Sequence, residues 1–534
     1  MLERQIREQL RYVSSSERES YWEALSQKMW AMTAFAIKSK AAQSYFTEAS
    51  YNALLFSKSL LLESERSMYD ILRAEGVQED VEAFTKVAAL KARIATLNKK
   101  FDGNEEEIGR LYGEMTAVDK MLTTRSALYK DYTAFLNVKY ADVRHAIKKE
   151  DVLIDFTDYK GDDGKRHYVV YIINNVQKYP LLIDLFTEED VESLLDGKSL
   201  DYLYNEGISE KIHRLCWQPL QEYVKEGTKV YYVPSGFMHR MSLESIMLAD
   251  GSLLGEHYDF IRLSSARELL RQSDTMAITT DSEAILYGGL SYDLDIDTLE
   301  IESKKYTLPP MLAVRGGDVR GDSIFHYLPQ TKEEILTVER ILKEKEMKVT
   351  PYMGINGTEE SFLNMSGKAP KLLLVATHGF YYSADNALEI DYLRGYTDAM
   401  SLTGLVMSGG NWAWTGKQLP DGVLSGILTA ATISRMDLQA TELAVLSACR
   451  TGQGKITSEG VYGLQRAFKK AGVGTIVMTL WNVSDFVTKE FMITFFTKLA
   501  KNGWRKRQAF NEAKRIIREK YPEPYYWAGF VMLD

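Results

Sequence analysis

The pattern of apolar positions divides the chain at about residue 150. Before that point there is no proline, glycines are few, and apolar residues recur mostly every three or four positions. The clearest stretch consists of two consecutive apolar runs, Leu111, Met115, Val118, Leu122 and then Leu128, Tyr132, Phe135, Val138. This spacing predicts a long amphipathic helix, and two antiparallel helices joined near Gly103 would bury such stripes against each other. Residues 1–149 are therefore interpreted as a helical regulatory or docking domain.

After residue 150, short apolar runs alternate with helix-like segments. The segments predicted as strands are 152–156, 168–173, 230–233, 285–287, 372–376, 443–446 and 475–480. Those predicted as helices are 188–195, 331–345, 460–471, 488–501 and 506–520. Apolar strands of this length between helices favour an α/β fold with a mainly parallel sheet flanked by helices. The polar stretch 273–281 is the predicted linker, so 150–279 and 280–534 are interpreted as two α/β halves.

Length and composition restrict the class of protein. A chain of 534 residues is expected to contain more than one folding unit. Its net charge of −9 gives no basic footprint for nucleic acid. The charged start MLERQIREQL lacks the apolar centre of a signal peptide, and no run of about 18 apolar residues predicts a membrane span. Only two cysteines, Cys216 and Cys449, fit a reducing compartment, so the predicted location is cytoplasmic.

Two predicted strands end in residues that carry chemistry. LLLVAT runs into His378 and Gly379, and LAVLSA runs into Cys449. Functional groups in open α/β sheets gather beyond the carboxyl ends of the strands, so neighbouring strands would deliver an imidazole and a thiol to one edge. A thiol with a pKa near ~8.5 needs a base to become a nucleophile, and an imidazole supplies one.

The backbone at these two strand ends suggests how a reacting carbonyl would be stabilised. The N–H groups of Gly379 and Cys449 are candidates for an oxyanion hole. A helix beginning near Gly460 would add a favourable dipole. The alternative is that Cys449 is a small buried residue of the core, as a lone cysteine after an apolar strand usually is.

A wider set of ordered motifs resembles the CHAT family of caspase-like cysteine peptidases. The motifs that are similar to successive family elements are LLLVATHGF, SLTGLVMSGGN, GILTAATIS, LSACRTGQG, SEGVYGLQRAFKKAG, TLWNVSD and PYYWAGFVML. Upstream, KVYYVPSGFMHRMSLESI is similar to the first, less reactive half of that domain. The segment YNALLFSKSLLL resembles the piece that commonly joins TPR arrays to it.

The resemblance implies a caspase-like fold with a pseudo-caspase first half, and a dyad of His378 and Cys449. Attack of the cysteine on a peptide carbonyl would give a thioester acyl-enzyme that water hydrolyses. It also implies a protein or peptide substrate, a regulatory partner binding through the helical domain, and a role of the kind TPR-associated members have in bacterial signalling. No metal or other cofactor is predicted, because two cysteines and scattered histidines give no zinc spacing.

Two positions depart from the family pattern. Arg450 stands where the family usually has an acidic residue after the cysteine, which places positive charge beside the thiol. Thr432 replaces the glutamate of another family element, which puts one supporting polar contact in doubt. Neither departure removes the dyad.

Substrate preference has one main candidate residue. Asp485, just past a predicted strand end, would hold a basic P1 side chain by a charge-assisted hydrogen bond, or alternatively cap a helix beginning near Val487. Asp421 in LPDG is a weaker candidate and has the features of a turn residue. The aromatic, glycine-rich stretch 408–416 is either the rim of a substrate groove or a plain surface loop.

One competing hypothesis comes from a different class. The chain would be a catalytically silent, caspase-like scaffold that binds protein partners through its helical domain. The intact His378 and Cys449 favour the enzyme. Of the other candidate residues, Cys216 is predicted to be core, and the sequence indicates no partner for His239 or His326.

Overall fold

The computed structural model of the chain describes most of the residues from position 138 onwards and parts of the segment before it. The described residues are 31–39, 42–58, 79, 83, 86, 90, 105–125, 138–270, 278–306, 308, 324–382, 393, 399–448, 452, 454–457 and 460–534.

The N-terminal part is helical where the structure describes it. It contains α1 (Tyr45–Ser57), α2 (Glu105–Arg125) and α3 (Tyr140–Ala146). Leu111 and Met115 of α2 are buried, as their place in the apolar stripe predicts. Most of the second apolar run and the predicted joint between helices lie outside the described residues.

Sixteen strands form the sheets of the described chain. In chain order they are β1 (Val152–Lys160), β2 (Arg166–Ile173), β3 (Leu181–Thr187), β4 (Lys229–Val233), β5 (Asp259–Arg262), β6 (Glu283–Leu290), β7 (Lys348–Gly354), β8 (Leu372–Ala376), β9 (Gly379–Tyr381), β10 (Thr403–Val406), β11 (Ile427–Thr429), β12 (Leu443–Ser447), β13 (Gly454–Thr457), β14 (Gly460–Gly463), β15 (Thr475–Thr479) and β16 (Phe530–Leu533).

Helices connect and flank these strands. In the described residues after α3 they are α4 (Glu188–Leu195), α5 (Ile208–Cys216), α6 (Leu254–His257), α7 (Ile296–Ser303), α8 (Pro329–Lys343), α9 (Glu359–Leu363), α10 (Gly410–Trp414), α11 (Ala430–Ile433), α12 (Leu464–Lys470), α13 (Asp485–Lys501) and α14 (Lys506–Lys520).

One large sheet runs through both predicted halves. Its eleven described strands have the order β3-β2-β1-β4-β5-β16-β15-β12-β8-β6-β7. The pairs β1–β2, β2–β3 and β15–β16 are antiparallel, and the other neighbouring pairs are parallel. The halves meet where β16 runs beside β5, with Leu533 opposite Arg262. The predicted α/β architecture after a helical region is confirmed, whereas the domain boundaries stay a prediction, since 271–277 lie outside the described residues.

The burial of the central strands explains why they could be predicted from the sequence. Every residue of β8 and β12 is buried, and their sequences LLLVA and LAVLS are almost wholly apolar. Strands covered on both faces read as continuous apolar runs because neither face meets water. α8 packs against β6, and α13 packs against α8 and α14, so helices cover this part of the sheet.

One predicted helix begins later than expected. The prediction of a helix over 460–471 is wrong at its start, because Gly460–Gly463 forms β14, which pairs antiparallel with β13. The helix α12 begins only at Leu464. Because pairing with residues 454–457 takes up the backbone of 460–463, the expected dipole of a helix beginning near Gly460 is not present at that position.

The first helix is fastened to the first half of the sheet. Tyr51 and Leu54 of α1 are buried in one cluster with residues of β1 and β2. The hydroxyl of Tyr51 donates to Asp155 Oδ2 at 3.1 Å, and Lys58 Nζ lies 2.7 Å from Asp155 Oδ1. Arg267 donates to the carbonyl oxygen of Lys58 at 3.0 Å, just past the end of the helix. Apolar burial and buried charge pairing therefore both hold α1 against the sheet.

Candidate active site

The strands that lead to His378 and Cys449 are direct neighbours. β8 and β12 pair in parallel with the register Leu443 opposite Leu372 and Ser447 opposite Ala376. His378 is the second residue after Ala376, and Cys449 is the second residue after Ser447. The structure describes His378, whereas Cys449 and Arg450 lie outside the described residues. The sheet thus brings the two strand ends together, as the sequence predicts.

A backbone carbonyl orients the imidazole of His378. Nε2 of the ring lies 2.7 Å from the carbonyl oxygen of His326. Because a carbonyl oxygen only accepts hydrogen bonds, Nε2 carries the proton in this contact. In the neutral ring the lone pair then resides on Nδ1, which is the nitrogen left to accept a proton.

The ring of His378 lies between two aromatic side chains. Its centroid is 5.0 Å from that of Tyr292 and 5.2 Å from that of Phe325. Burial lowers the pKa of His378 below its ordinary value, and the charge of Asp485 acts in the opposite direction. The imidazole is therefore held in its neutral, basic form over a wider range of pH than an exposed histidine.

A chain of hydrogen bonds fixes the backbone on either side of this ring. Tyr292 and Thr377 share a hydrogen bond between their hydroxyl groups at 2.9 Å, and Thr377 donates to the carbonyl oxygen of Val406 at 2.5 Å. The N–H of Val406 returns a bond to the carbonyl oxygen of His378 at 2.9 Å. The start of the turn between β8 and β9 is thus tied to β10.

The stretch 408–416 lies beside the histidine. It forms α10 and its flanks, and Trp414 is 1% exposed, so the interpretation as a plain surface loop is wrong. The Trp414 ring contacts Phe325 and Phe380 with centroid distances of 4.8 and 5.3 Å. Asn411 accepts a hydrogen bond from the N–H of Phe325 at 2.8 Å, which holds the residue that covers His378.

These surroundings are what sequence reasoning missed. Tyr292, Phe325 and the carbonyl group of His326 lie far from His378 in the sequence, and His326, for which the sequence indicated no partner, contacts His378 through its main chain. A backbone carbonyl leaves no trace in residue type. The only available signal was the cluster of aromatic residues in 324–327.

The oxyanion-hole candidate on the histidine side is described by its backbone. Gly379 is the first residue of β9 and lies opposite Leu405 of β10. It is half-buried and follows His378 directly. The companion N–H, that of Cys449, falls outside the described residues, so this pairing stays a prediction.

The two acidic candidates occupy different positions. Asp485 is the first residue of α13, whose N-cap is Ser484, so the interpretation of Asp485 as the cap of a helix beginning near Val487 is wrong. Asp485 is exposed, and its charge favours the protonated forms of both His378 and Tyr292, although burial is the larger influence on the pKa of each. Asp421 is an exposed turn residue, in agreement with the sequence.

Thr432, which stands where the family pattern has a glutamate, makes hydrogen bonds with Thr429 and Arg435. Its N–H donates to Thr429 Oγ1 at 3.2 Å, and Arg435 donates to Thr432 Oγ1 at 3.2 Å. Thr429 is the N-cap of α11, so the pair stabilises the start of that helix.

The other cysteine belongs to the core. Cys216 ends α5 and is fully buried, and burial raises its pKa to about 12. A thiol with that pKa is unreactive at neutral pH, so the prediction for Cys216 is confirmed.

No group of three or more His, Cys, Asp and Glu side chains able to hold a metal ion occurs among the residues that the structure describes. None of the described helices combines the length and the apolar character needed to span a bilayer.

Comparison with a family model decides which family this is. The model of the CHAT domain matches residues 206–533, which is more than half of the chain. The chain belongs to the CHAT domain family. This membership and the mainly parallel sheet confirm the caspase-like fold class that the sequence motifs implied.

Curated relatives connect the CHAT domain to TPR proteins. The chain is 34% identical over 110 residues to tetratricopeptide repeat protein 28 of Homo sapiens, and 31% identical over 109 residues to the protein of that name from Mus musculus. Each match covers 20% of this chain and 4% of the relative. The chain therefore spans only a small part of the length of these relatives.

Two solved structures resemble the CHAT chain at low identity. Gingipain R, an Arg-specific cysteine proteinase, gives a TM-score of 0.35 at 10% identity, covering 64% of this chain and 68% of that one. The separase–securin complex of Saccharomyces cerevisiae gives a TM-score of 0.42 at 11% identity, covering 96% of this chain and 40% of that one.

Proposed function

We propose that this CHAT protein is a cysteine endopeptidase in which His378 and Cys449 form the catalytic pair. The observation that carries the proposal is the register of β8 and β12, with Ala376 opposite Ser447. Two residues of chain span at most about 7 Å, so each functional residue stays close to its own strand end. Family membership and the orientation of the His378 ring support the same assignment.

The reaction follows from the state of His378. Nε2–H remains bonded to the His326 carbonyl, and Nδ1 takes the proton of the Cys449 thiol. The thiolate attacks the peptide carbonyl, and the N–H groups of Gly379 and Cys449 stabilise the oxyanion. Nδ1–H then protonates the leaving amine, which departs and leaves a thioester. Water, deprotonated by Nδ1, hydrolyses the thioester and regenerates the thiol.

The same proposal includes a preference for a basic P1 residue and a protein regulator. Asp485 is exposed and lies near enough to His378 for its charge to act on the ring. A carboxylate in that position suits an Arg or Lys side chain of the substrate. The likeness to TPR proteins supports a regulatory protein that acts through the helical region 1–149.

Alkylation of the two cysteines tests the catalytic pair. The full chain is treated with iodoacetamide at pH 7, and modification of each cysteine is followed by peptide mass spectrometry. We expect Cys449 to react at least about 10-fold faster than a free thiol because an adjacent base raises its thiolate fraction. Cys216, buried and with its pKa raised to about 12, is the internal control that reports on unfolding.

Two histidine variants complete the test. His378→Ala should remove the enhanced reactivity of Cys449, whereas His145→Ala, at an exposed position of α3, should leave it unchanged. Reaction of Cys449 at the rate of a free thiol, with or without His378, would refute the peptidase. That result would favour the catalytically silent scaffold.

A further inference from the structure

A buried carboxyl group lies against the end of the strand that leads to Cys449. Glu334 of α8 is 1% exposed, and its Oε2 accepts a hydrogen bond from Ser447 Oγ at 3.0 Å. Its Oε1 has no hydrogen-bond partner in the part of the chain that the structure describes. Ser447 is the last residue of β12. Burying an incompletely paired carboxyl group costs free energy, so its presence at this strand end requires a compensating role.

The segment that carries Glu334 also contacts the histidine. Just before α8 begins, the carbonyl oxygen of His326 accepts the hydrogen bond from His378. At the start of α8, Thr331 Oγ1 accepts a bond from the N–H of Gly289 at 2.9 Å, near the end of β6. One short stretch of chain therefore contacts the histidine, the end of β6 and, through Glu334, the end of the cysteine strand.

The close approach of α8 to the sheet depends on glycine. A Cβ atom at Gly288 would lie 2.5 Å from Cγ1 of Ile335, which is nearer than such atoms can approach. A Cβ atom at Gly289 would lie 2.7 Å from Cβ of Lys332. The absence of side chains at these two positions lets the first turns of α8 rest directly on the end of β6.

The charges around Glu334 fit a protonated carboxyl group. Burial raises the pKa of Glu334 to about 8; the bond from Ser447 and the charge of Lys489 oppose the rise, and the charge of Asp485 adds to it. This pKa favours the uncharged form of Glu334 at neutral pH. A negative charge at this point would disfavour a thiolate at Cys449, whereas an uncharged acid can hold Ser447 without that penalty.

We propose that Glu334 is a positioning residue whose carboxyl group holds Ser447 and thereby sets the end of β12 against His378. The inference rests on the proposed function, because it concerns how Cys449 meets its base. Since α8 contacts Ser447 at the end of β12 and the residues just before α8 contact His378, this element fixes the separation of His378 from the end of β12. A purely structural polar pair would support the fold without affecting the coupling between the two catalytic groups.

A double-mutant cycle measures that coupling. The rate of Cys449 alkylation by iodoacetamide is compared with and without His378→Ala in three backgrounds: wild type, Glu334→Gln and Glu334→Leu. We expect His378→Ala to lower the rate of Cys449 alkylation by about 10-fold or more in wild type and in Glu334→Gln. The uncharged amide of Glu334→Gln can still accept the hydrogen bond from Ser447. In Glu334→Leu, His378→Ala should lower the alkylation rate by less than about 3-fold, because His378 is already misaligned with Cys449 in that background.

A second buried glutamate provides the matched control. Glu359 is 3% exposed and accepts from Ser425 Oγ at 3.0 Å, but it contacts neither β8 nor β12 through that bond. Glu359→Leu should retain the full effect of His378→Ala. Ser447→Ala removes the other end of the proposed contact and should reproduce Glu334→Leu, which keeps the test open if the leucine variant does not fold.

Each outcome decides the matter. If His378→Ala lowers the alkylation rate as much in Glu334→Leu or Ser447→Ala as in wild type, Glu334 does not position the strand, but the proposed catalytic pair is retained. If His378→Ala costs nothing in wild type, the proposed function fails, and the role of Glu334 fails with it.

Discussion

The carbonyl oxygen of His326 and Nε2 of His378 are 2.7 Å apart, although 52 positions separate the two residues in the sequence. The contact fixes which ring nitrogen holds the proton. It also brings Phe325, the residue before His326, over the imidazole with a centroid distance of 5.2 Å. Orientation and desolvation of the proposed base thus come from the same segment.

Removal of Phe325 should shift the pH dependence of Cys449 alkylation. Burial lowers the pKa of His378, so in wild type the acid limb should lie below the ordinary histidine value of about 6.5. Phe325→Ala admits water to the ring, raises its pKa and moves the limb to higher pH. Rate–pH profiles between pH 4.5 and 8 measure the shift. The exposed Phe46→Ala is the control, and an unmoved limb in Phe325→Ala would show that this ring does not desolvate the base.

Asp485 should determine the preference at P1. A positional peptide library is cleaved by wild type, Asp485→Asn and Asp421→Asn, and kcat/KM is compared for basic and neutral P1 residues. Loss of a charge-assisted hydrogen bond should lower kcat/KM for Arg and Lys substrates by about 10- to 100-fold in Asp485→Asn. Asp421, an exposed turn residue, should have no effect. An unchanged P1 preference in Asp485→Asn would move the pocket elsewhere.

Much of the fold could be predicted because the central strands are buried on both faces. The runs LLLVA and LAVLS are almost wholly apolar, and their register brings the ends of the two strands that lead to His378 and Cys449 to one sheet edge. The error at 460–463 has a physical cause. The stretch has apolar spacing suited to a helix, but pairing with residues 454–457 uses its backbone groups, and local spacing does not report on such a partner.

The surroundings of the dyad were less predictable. Tyr292 reaches Thr377 across 85 positions, and Ser447 reaches Glu334 across 113 positions. Such contacts depend on how helices lie over the sheet, and residue spacing within one element carries no information about them. Glu334 directly follows Glu333 in a helix that also carries Glu339, a pattern typical of a solvated face, whereas the structure buries Glu334.

Neutralising Glu359 should make stability less dependent on pH. Burial raises the pKa of Glu359 from 4.5 to about 8, and the neighbouring Glu360 adds to the rise. The folded state therefore keeps a proton that the unfolded chain releases above about pH 4.5, so the free energy of unfolding falls as pH rises through this window. Glu359→Gln removes the effect.

Urea unfolding of wild type and Glu359→Gln at pH 5 and pH 8 measures this pH dependence of stability. The stability of Glu359→Gln relative to wild type should improve by at least about 1 kcal/mol between the two pH values. Glu344→Gln, at a side chain that is 61% exposed, is the control and should show no such trend. A constant difference between Glu359→Gln and wild type would mean that Glu359 is ionised in the folded protein.

The ion pair between Lys58 and Asp155 should contribute much of the stability of the contact between α1 and the sheet. The side chains are 9% and 1% exposed, so Lys58→Met leaves the Asp155 carboxylate buried without its countercharge and should destabilise the protein by about 3 kcal/mol. The double variant Lys58→Met/Asp155→Asn buries no charge and should recover part of that loss. The pair Lys38–Asp162, with side chains 54% and 85% exposed, is the matched control.

Lys38→Met should change stability by less than about 1 kcal/mol, because exposed ion pairs contribute little. Urea midpoints of the four proteins give the comparison. If Lys58→Met is no worse than Lys38→Met, apolar burial of Tyr51 and Leu54 alone holds α1 in place. If the double variant is as unstable as Lys58→Met, the loss comes from the bonds of Lys58 to the carbonyl oxygens of Phe156 and Val233 rather than from the stranded charge.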